Sequence, residues 1–178
     1  DREAFASGPR LSDHRFPSGP VAIPALRSSL YQREGTAMFV AEILKTKGNA
    51  VFSIAPDMTV TQACAELEQK RVGALVVCDG DRVVGVFSER DVVKALAADG
   101  ADALARPVAD YMTAKVIYAE PAEEMSALMT RMTDRRIRHL PVMQADRLVG
   151  VISIGDVVKC QIAEHAHEAE SLRTYIAG

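Results

Sequence analysis

From Val40 onward, apolar and polar residues follow a regular order that predicts short strands and amphipathic helices. An extended apolar run ends at Pro56, and Val60, Cys64 and Leu67 then recur at spacings of four and three, which is typical of one buried helix face. Two further apolar runs, "ALVVC" and "RVVGVF", are separated by a turn and predict a β-hairpin. Another helix follows, so the unit reads strand, helix, strand, strand, helix (βαββα).

The βαββα unit occurs twice in the sequence. Residues 56–94 align without a gap on residues 121–159, and upstream "VAEIL" at Val40 matches "VADYM" at Val108. One unit is too small to cover its own sheet, so we expect two βαββα repeats packed face to face in a mixed α/β (α+β) fold. The expected divisions are a tail or linker at 1–37, repeat 1 at 38–103, repeat 2 at 104–162 and a C-terminal helix extension at 163–178.

The composition narrows the class of protein. The chain is 48% hydrophobic and 25% charged with a net charge of -3, which argues against a general nucleic-acid binder. No apolar run approaches the roughly 20 residues of a membrane span, and no signal-peptide pattern is present at the N-terminus. The three cysteines are far apart, without metal-site spacing, and suit a reducing compartment. We therefore expect a soluble cytoplasmic protein without a metal site.

The most informative motif for function lies where the hairpin meets the last helix of each unit. It reads "GVFSERDVVK" in one copy and "GVISIGDVVK" in the other. Ser88 or Ser153 could cap its helix, with Asp91 or Asp156 in the positive first turn. The same geometry suits a nucleoside phosphate, because a helix N-terminus attracts phosphate and a carboxylate accepts ribose hydroxyls. The glycine three residues before each serine would let a ligand approach the strand end. Capping and ligand binding are both compatible with these residues.

Two copies of Gly-x-x-Ser-x-x-Asp in register resemble the adenosine-binding signature of cystathionine-beta-synthase (CBS) domains, which occur as tandem pairs. The resemblance covers Val40 to about Gln161. It implies a Bateman module, in which two repeats related by a pseudo-twofold axis form two clefts for adenosine ligands. AMP is the expected ligand, and ATP, ADP, NAD(H) and S-adenosylmethionine are alternatives.

The resemblance also implies a role for each matching residue. Asp91 and Asp156 would hold the ribose groups of two ligands, and the serines three positions before them would hold the phosphates. The first strand of each repeat would line the adenine, through Val51 in repeat 1 and through Val116 and Ile117 in repeat 2. Thr113, in the loop before the second repeat's first strand, would also reach phosphate.

The two repeats differ in their positively charged and ionisable residues. Repeat 2 has Arg138 and His139 where repeat 1 has glycine and alanine, and repeat 1 has Arg90 where repeat 2 has glycine. Because a guanidinium can pair with a phosphate through two hydrogen bonds, we expect unequal clefts. We expect the more phosphorylated ligand in the cleft built from Ser88, Arg90, Asp91, Arg138 and His139.

The resemblance predicts a regulatory module and not an enzyme. Ligand occupancy would reach an unidentified partner protein through a shift between the repeats. Bateman modules commonly pair, so a homodimer is expected, and an apolar seam on the last helix could pack within the chain or on a second copy. Its members are Ile162, Ala169, Leu172 and Ile176. Two alternatives are open: a nucleotide- or NAD-linked enzyme using the same cleft, and a scaffold whose Ser and Asp only cap helices.

Overall fold

The computed structural model describes residues 38–48 and 50–177, so the expected tail at 1–37 lies outside the described residues. The first half of the described chain contains α1 (Val40–Lys47), β1 (Ser53–Ile54), α2 (Val60–Lys70), β2 (Ala74–Asp79), β3 (Arg82–Ser88) and α3 (Glu89–Asp99). Two 3₁₀ helices, Gly100–Ala105 and Val108–Asp110, connect the halves. The second half contains α4 (Met125–Asp134), β4 (His139–Gln144), β5 (Arg147–Ser153) and α5 (Ile154–Ala177).

Each repeat is built around a β-hairpin, and the two hairpins have the same register. Ala74 of β2 faces Ser88 of β3, and His139 of β4 faces Ser153 of β5. The final serine of each hairpin therefore lies beside the first residue of its partner strand. In repeat 1, β1 adds a short parallel strand on the open side of β2.

The first strand of repeat 2 is reduced to a single parallel bridge between Ala119 and Val142. The Ala119 N–H donates to the Pro141 carbonyl and the Ala119 carbonyl accepts from the Met143 N–H, both at 2.9 Å. The first strand expected in repeat 2, with Val116 and Ile117, is therefore wrong for most of its length, because the backbone bonding to β4 is confined to Ala119. The remaining elements occur in the predicted order, and the mixed α/β fold of two βαββα repeats is confirmed.

The first segment of each repeat packs on the core of the other repeat. From α1 of repeat 1, the residues in the core of repeat 2 are Val40, Ile43 and Leu44. From the start of repeat 2, the residues that pack in the core of repeat 1 are Val108, Tyr111 and Met112. The backbone contacts match as well: the Val40 N–H donates to the Glu123 carbonyl at 3.0 Å, and the Val108 N–H to the Met58 carbonyl at 2.7 Å. This reciprocal exchange follows the pseudo-twofold relation and ties the repeats together.

This exchange explains why both hairpins have a glycine at the equivalent position, Gly85 and Gly150. A Cβ at Gly150 would lie 2.6 Å from Leu44 Cδ2, and a Cβ at Gly85 would collide with Met112 Sδ. The interpretation that these glycines admit a ligand to the strand end is therefore wrong. They are small because the exchanged segments cross the hairpins at these points.

The predicted C-terminal extension is a continuation of α5, which runs as one helix through Ala177. Ile162 is 64% exposed and Ile176 is 82% exposed, so these two members of the seam do not pack on the described part of the chain. The side chain of Leu172 lies outside the described residues.

Candidate functional site

In repeat 1, Ser88 ends β3 and Asp91 lies in the first turn of α3. Both the backbone N–H and the hydroxyl of Ser88 donate to Asp91 Oδ2, at 3.0 and 2.6 Å. Asp91 is only 4% exposed, and its second oxygen lies 3.2 Å from Lys94 Nζ. The carboxylate thus has partners on both oxygens, which offsets the cost of removing its charge from water.

Repeat 2 has the same arrangement, but its lysine comes from another element. The N–H and hydroxyl of Ser153 donate to Asp156 Oδ2 at 2.8 and 2.7 Å, and the Asp156 N–H donates back to Ser153 Oγ at 3.2 Å. Lys47 Nζ, from the end of α1, lies 2.5 Å from the same Oδ2. Burial favours a raised pKa for Asp156, but the hydrogen bonds from Lys47 and Ser153 outweigh it, and the pKa is lowered. Both Ser–Asp pairs therefore have the geometry of helix capping.

The start of each first strand lies at the same end of the sheet as these junctions. β1 runs parallel to β2, with Ser53 opposite Val76, while Ala74 of β2 faces Ser88. Val51, two residues before β1, therefore lies near the Ser88 end of repeat 1 and is half-buried. In repeat 2 the parallel bridge at Ala119 puts the preceding Val116 and Ile117 at the corresponding end, and Ile117 packs on the core.

Charged groups of the two repeats meet near this end. Arg90 Nη1 donates to the Arg136 carbonyl at 3.0 Å, which links α3 to the turn before β4. A Cβ at Gly73 would lie 3.0 Å from His139 Cε1 and 3.5 Å from Glu89 Oε2, so His139 lies directly against repeat 1. The structure therefore brings Arg90 and His139 to the boundary between the repeats.

Arg138 and Thr113 are positioned by hydrogen bonds of their backbone groups. The Arg138 carbonyl accepts from the Ile154 N–H at 2.8 Å, and its side chain is exposed. Thr113 exchanges two backbone hydrogen bonds with Val86, at 2.9 and 3.1 Å, and is likewise exposed. Because Val86 precedes Ser88 by two residues, Thr113 lies beside the junction of repeat 1, although it belongs to repeat 2.

Burial lowers the pKa of His139, and the nearby Lys47 adds to this effect. Glu89 and Asp156 favour the charged imidazolium, while Arg138 opposes it. Charged groups from α1, α3, α5 and the turn before β4 therefore act on one imidazole. A phosphate bound here would favour the imidazolium and raise this pKa.

Sequence reasoning missed Lys47, Glu89 and Arg136. The alignment of "VAEILKTK" with "VADYMTAK" pairs Lys47 with Lys115, but it does not indicate that each segment packs on the opposite repeat. That relation is a tertiary one, and no local pattern encodes it.

A cavity of about 490 Å³ borders this region in repeat 1. It is lined by residues of α2, the turn before β2 and α3, including Arg71, Gly73 and Glu89. Its size falls within the range of small-molecule sites. No cluster of three metal-ligating side chains occurs in residues 38–48 and 50–177.

Comparison with known proteins identifies the family. The CBS domain profile matches residues 40–98 and 108–162. The chain belongs to the CBS domain family and carries two CBS domains in tandem, as the resemblance indicated.

Individual relatives agree with this assignment. The chain is 34% identical to the mitochondrial CBS domain-containing protein CBSX3 of Arabidopsis thaliana, over 78% of this chain and 72% of that protein. It is 42% identical to a CBS-domain containing protein of known structure from Agrobacterium tumefaciens, with a TM-score of 0.69 and coverage of 70% and 99%. The CBS domain pair of protein MJ0100, crystallised with 5′-methylthioadenosine and S-adenosyl-L-methionine, shares the fold at 21% identity, with a TM-score of 0.65 and coverage of 72% and 99%.

Within the described ranges, none of the helices combines the length and the apolar character needed to cross a membrane. The cytoplasmic location stays a prediction, and the Arabidopsis relative is described as mitochondrial.

Proposed function

We propose that this chain is a regulatory module that binds an adenosine ligand, with AMP as the expected one, and passes its occupancy to a partner protein. In this proposal Asp91 and Asp156 accept ribose hydroxyls, and Ser88 and Ser153 bind phosphate with the helix N-termini. ATP, ADP, NAD(H) and S-adenosylmethionine are the alternatives to be tested beside AMP. A relative of the same fold was crystallised with two adenosine compounds, which supports this class of ligand.

The observation that carries the proposal is the meeting of charged groups from both repeats next to the Ser–Asp junctions. Helix capping needs only the serine and the aspartate of one repeat. It does not require Arg90 to reach the Arg136 carbonyl of the other repeat, or His139 to lie against Gly73 and Glu89. Such a boundary, with a guanidinium from repeat 1 and an ionisable imidazole from repeat 2, suits a phosphorylated ligand whose binding changes how the repeats fit together.

The more phosphorylated ligand is assigned to the cleft of Ser88 and Asp91. Arg90 supplies a guanidinium there from repeat 1, and Arg138 and His139 supply positive or ionisable groups from repeat 2. Repeat 2 has glycine at the position of Arg90, so its own Ser153 and Asp156 have a different set of cations. The adenine would contact Val51 in one cleft and Val116 and Ile117 in the other, and Thr113 would add a hydroxyl near the first.

Thermal unfolding against the ligand panel tests the function. A ligand at 100 times its dissociation constant should stabilise the chain by about 2.7 kcal/mol. Asp91→Ala or Asp156→Ala should abolish the stabilisation by the ligand bound at that junction.

These variants also lose a helix cap, so the matched control is Thr59→Ala, which removes the cap of α2 away from both junctions. The control should keep the full stabilisation by the ligand. The absence of any shift in the wild-type chain would leave the scaffold alternative, and turnover of a bound nucleotide would establish the enzyme alternative.

A homodimer is the second part of the proposal. Val93 on α3 and Val158 on α5 occupy equivalent positions in the two repeats, and they are 67% and 43% exposed. Ile162 continues this apolar surface along α5. Equivalent apolar positions on two related helices fit a second copy bound across a twofold axis.

Sedimentation velocity tests the dimer. The wild-type chain should sediment as a dimer at micromolar concentration, and Val93→Glu with Val158→Glu should shift it to a monomer because charges would be buried in the contact. Ala127→Glu, on an exposed position of α4, is the control and should leave the dimer intact. A wild-type chain that sediments only as a monomer would contradict this part.

A further inference from the structure

Lys47 is the last residue of α1 and reaches into the Ser–Asp junction of repeat 2. Its Nζ donates to the Val151 carbonyl at 3.0 Å and lies 2.5 Å from Asp156 Oδ2. The Lys47 side chain is 36% exposed and that of Asp156 is 18% exposed, so the pair is partly withdrawn from solvent. The lysine belongs to the first helix of repeat 1, yet these bonds connect it only to repeat 2.

Among the residues that the structure describes, no lysine of the opposite repeat contacts the other junction. Val86, which is equivalent to Val151, bonds to the backbone of Thr113, and Asp91 pairs with Lys94 of its own helix. Lys115, which aligns with Lys47, is exposed and forms no ion pair within the described residues. The lysine therefore distinguishes the two candidate sites.

The hydrogen bonds at Asp156 define what a ligand has to displace. Asp156 Oδ2 already accepts the Ser153 N–H, the Ser153 hydroxyl and the Lys47 ammonium. A ribose that uses both carboxylate oxygens would compete with Lys47 for Oδ2, and we expect it to displace the ammonium. An uncharged nucleoside leaves the displaced ammonium without an anion, whereas a nucleotide supplies a phosphate near Ser153 to replace the carboxylate.

We infer that Lys47 is the specificity-determining residue of the repeat 2 site, selecting adenosine ligands that carry a phosphate over uncharged ones. The inference rests on the proposed function, since it assumes that Ser153 and Asp156 bind such a ligand. It adds a named residue, outside the repeated motif, that controls which ligand class this one site accepts.

Calorimetric titration of AMP and of adenosine tests the inference. All measurements use the Asp91→Ala background, so that the repeat 2 site alone is observed. Lys47→Met should weaken AMP binding about tenfold, because a hydrogen bond to a charged group is lost, and should leave adenosine binding unchanged or stronger. The ratio of AMP to adenosine affinity should therefore fall about tenfold or more. Lys47→Arg and the control Lys115→Met should keep the ratio.

The outcomes separate this inference from the proposed function. An unchanged ratio in a folded Lys47→Met variant would overturn the inference while AMP binding itself stands. If Lys47→Met fails to fold, Lys47→Gln removes the charge with a polar side chain and carries the same expectation. If the wild-type chain and the Asp91→Ala background bind neither compound, both the inference and the proposed function are wrong.

Discussion

At the residue scale, the serine and aspartate of each junction satisfy a structural need, and they are also the residues proposed to bind the ligand. The Ser–Asp hydrogen bonds at both junctions are those of a helix cap, so each carboxylate already has hydrogen-bond partners within the protein. Asp91 is the only charged residue found buried within the described residues. Ligand binding would replace or extend these bonds, and it would not create the site.

His139 gives a pH prediction at this scale. Burial lowers its folded-state pKa below the unfolded value of about 6.5, so the unfolded chain takes up a proton first as the pH falls. Stability should therefore decrease as the pH drops through 6.5, and His139→Gln should reduce that decrease. Urea unfolding at pH 7.5 and pH 5.5 measures both slopes. Equal losses of stability in the two proteins would show that another group is responsible.

At the element scale, the repeat and most of its strands and helices could be predicted, because the period of apolar residues reports which face is buried. The packing of α1 on repeat 2, and of residues 108–112 on repeat 1, could not be predicted. The period of apolar residues shows which helix or strand face is buried, but not which element covers it. The role of Gly85 and Gly150 was misread for this reason. The first strand of repeat 2 was overpredicted because its apolar run resembles a strand, although only Ala119 bonds to β4.

Substitution of Gly150 tests the exchange. Gly150→Ala should destabilise the chain by about 1–3 kcal/mol, because the new methyl group would lie 2.6 Å from Leu44 Cδ2. Gly85→Ala should cost less, since the flexible Met112 side chain can move away. Chemical denaturation measures both changes.

Gly155→Ala is the matched control for this substitution. Its Cβ would lie 3.6 Å from Ser153 Oγ, an ordinary contact, and alanine favours the helix by up to about 1 kcal/mol. The control should be neutral or stabilising. Gly150→Ala with no loss of stability would contradict the close packing of α1 on the β4–β5 hairpin.

At the scale of the whole molecule, two similar repeats produce two unlike Ser–Asp junctions, because Asp156 pairs with Lys47 and Asp91 with Lys94. The family, the junction motif and the asymmetry of Arg90, Arg138 and His139 could all be read from the sequence. Lys47 could not, because its contact with Asp156 depends on the exchanged α1. Since α1 joins the core of repeat 2 and leads directly into repeat 1, a ligand that moves Lys47 would act on a segment shared by both repeats.

The most direct measurement of the central claim is a calorimetric titration of AMP into the wild-type chain and into the Asp91→Ala, Asp156→Ala double variant. The account predicts saturable binding by the wild-type chain and by the Thr59→Ala control, and none by the double variant. No binding by the wild-type chain, or equal binding by the double variant, would contradict it and leave the repeated Ser and Asp as helix caps.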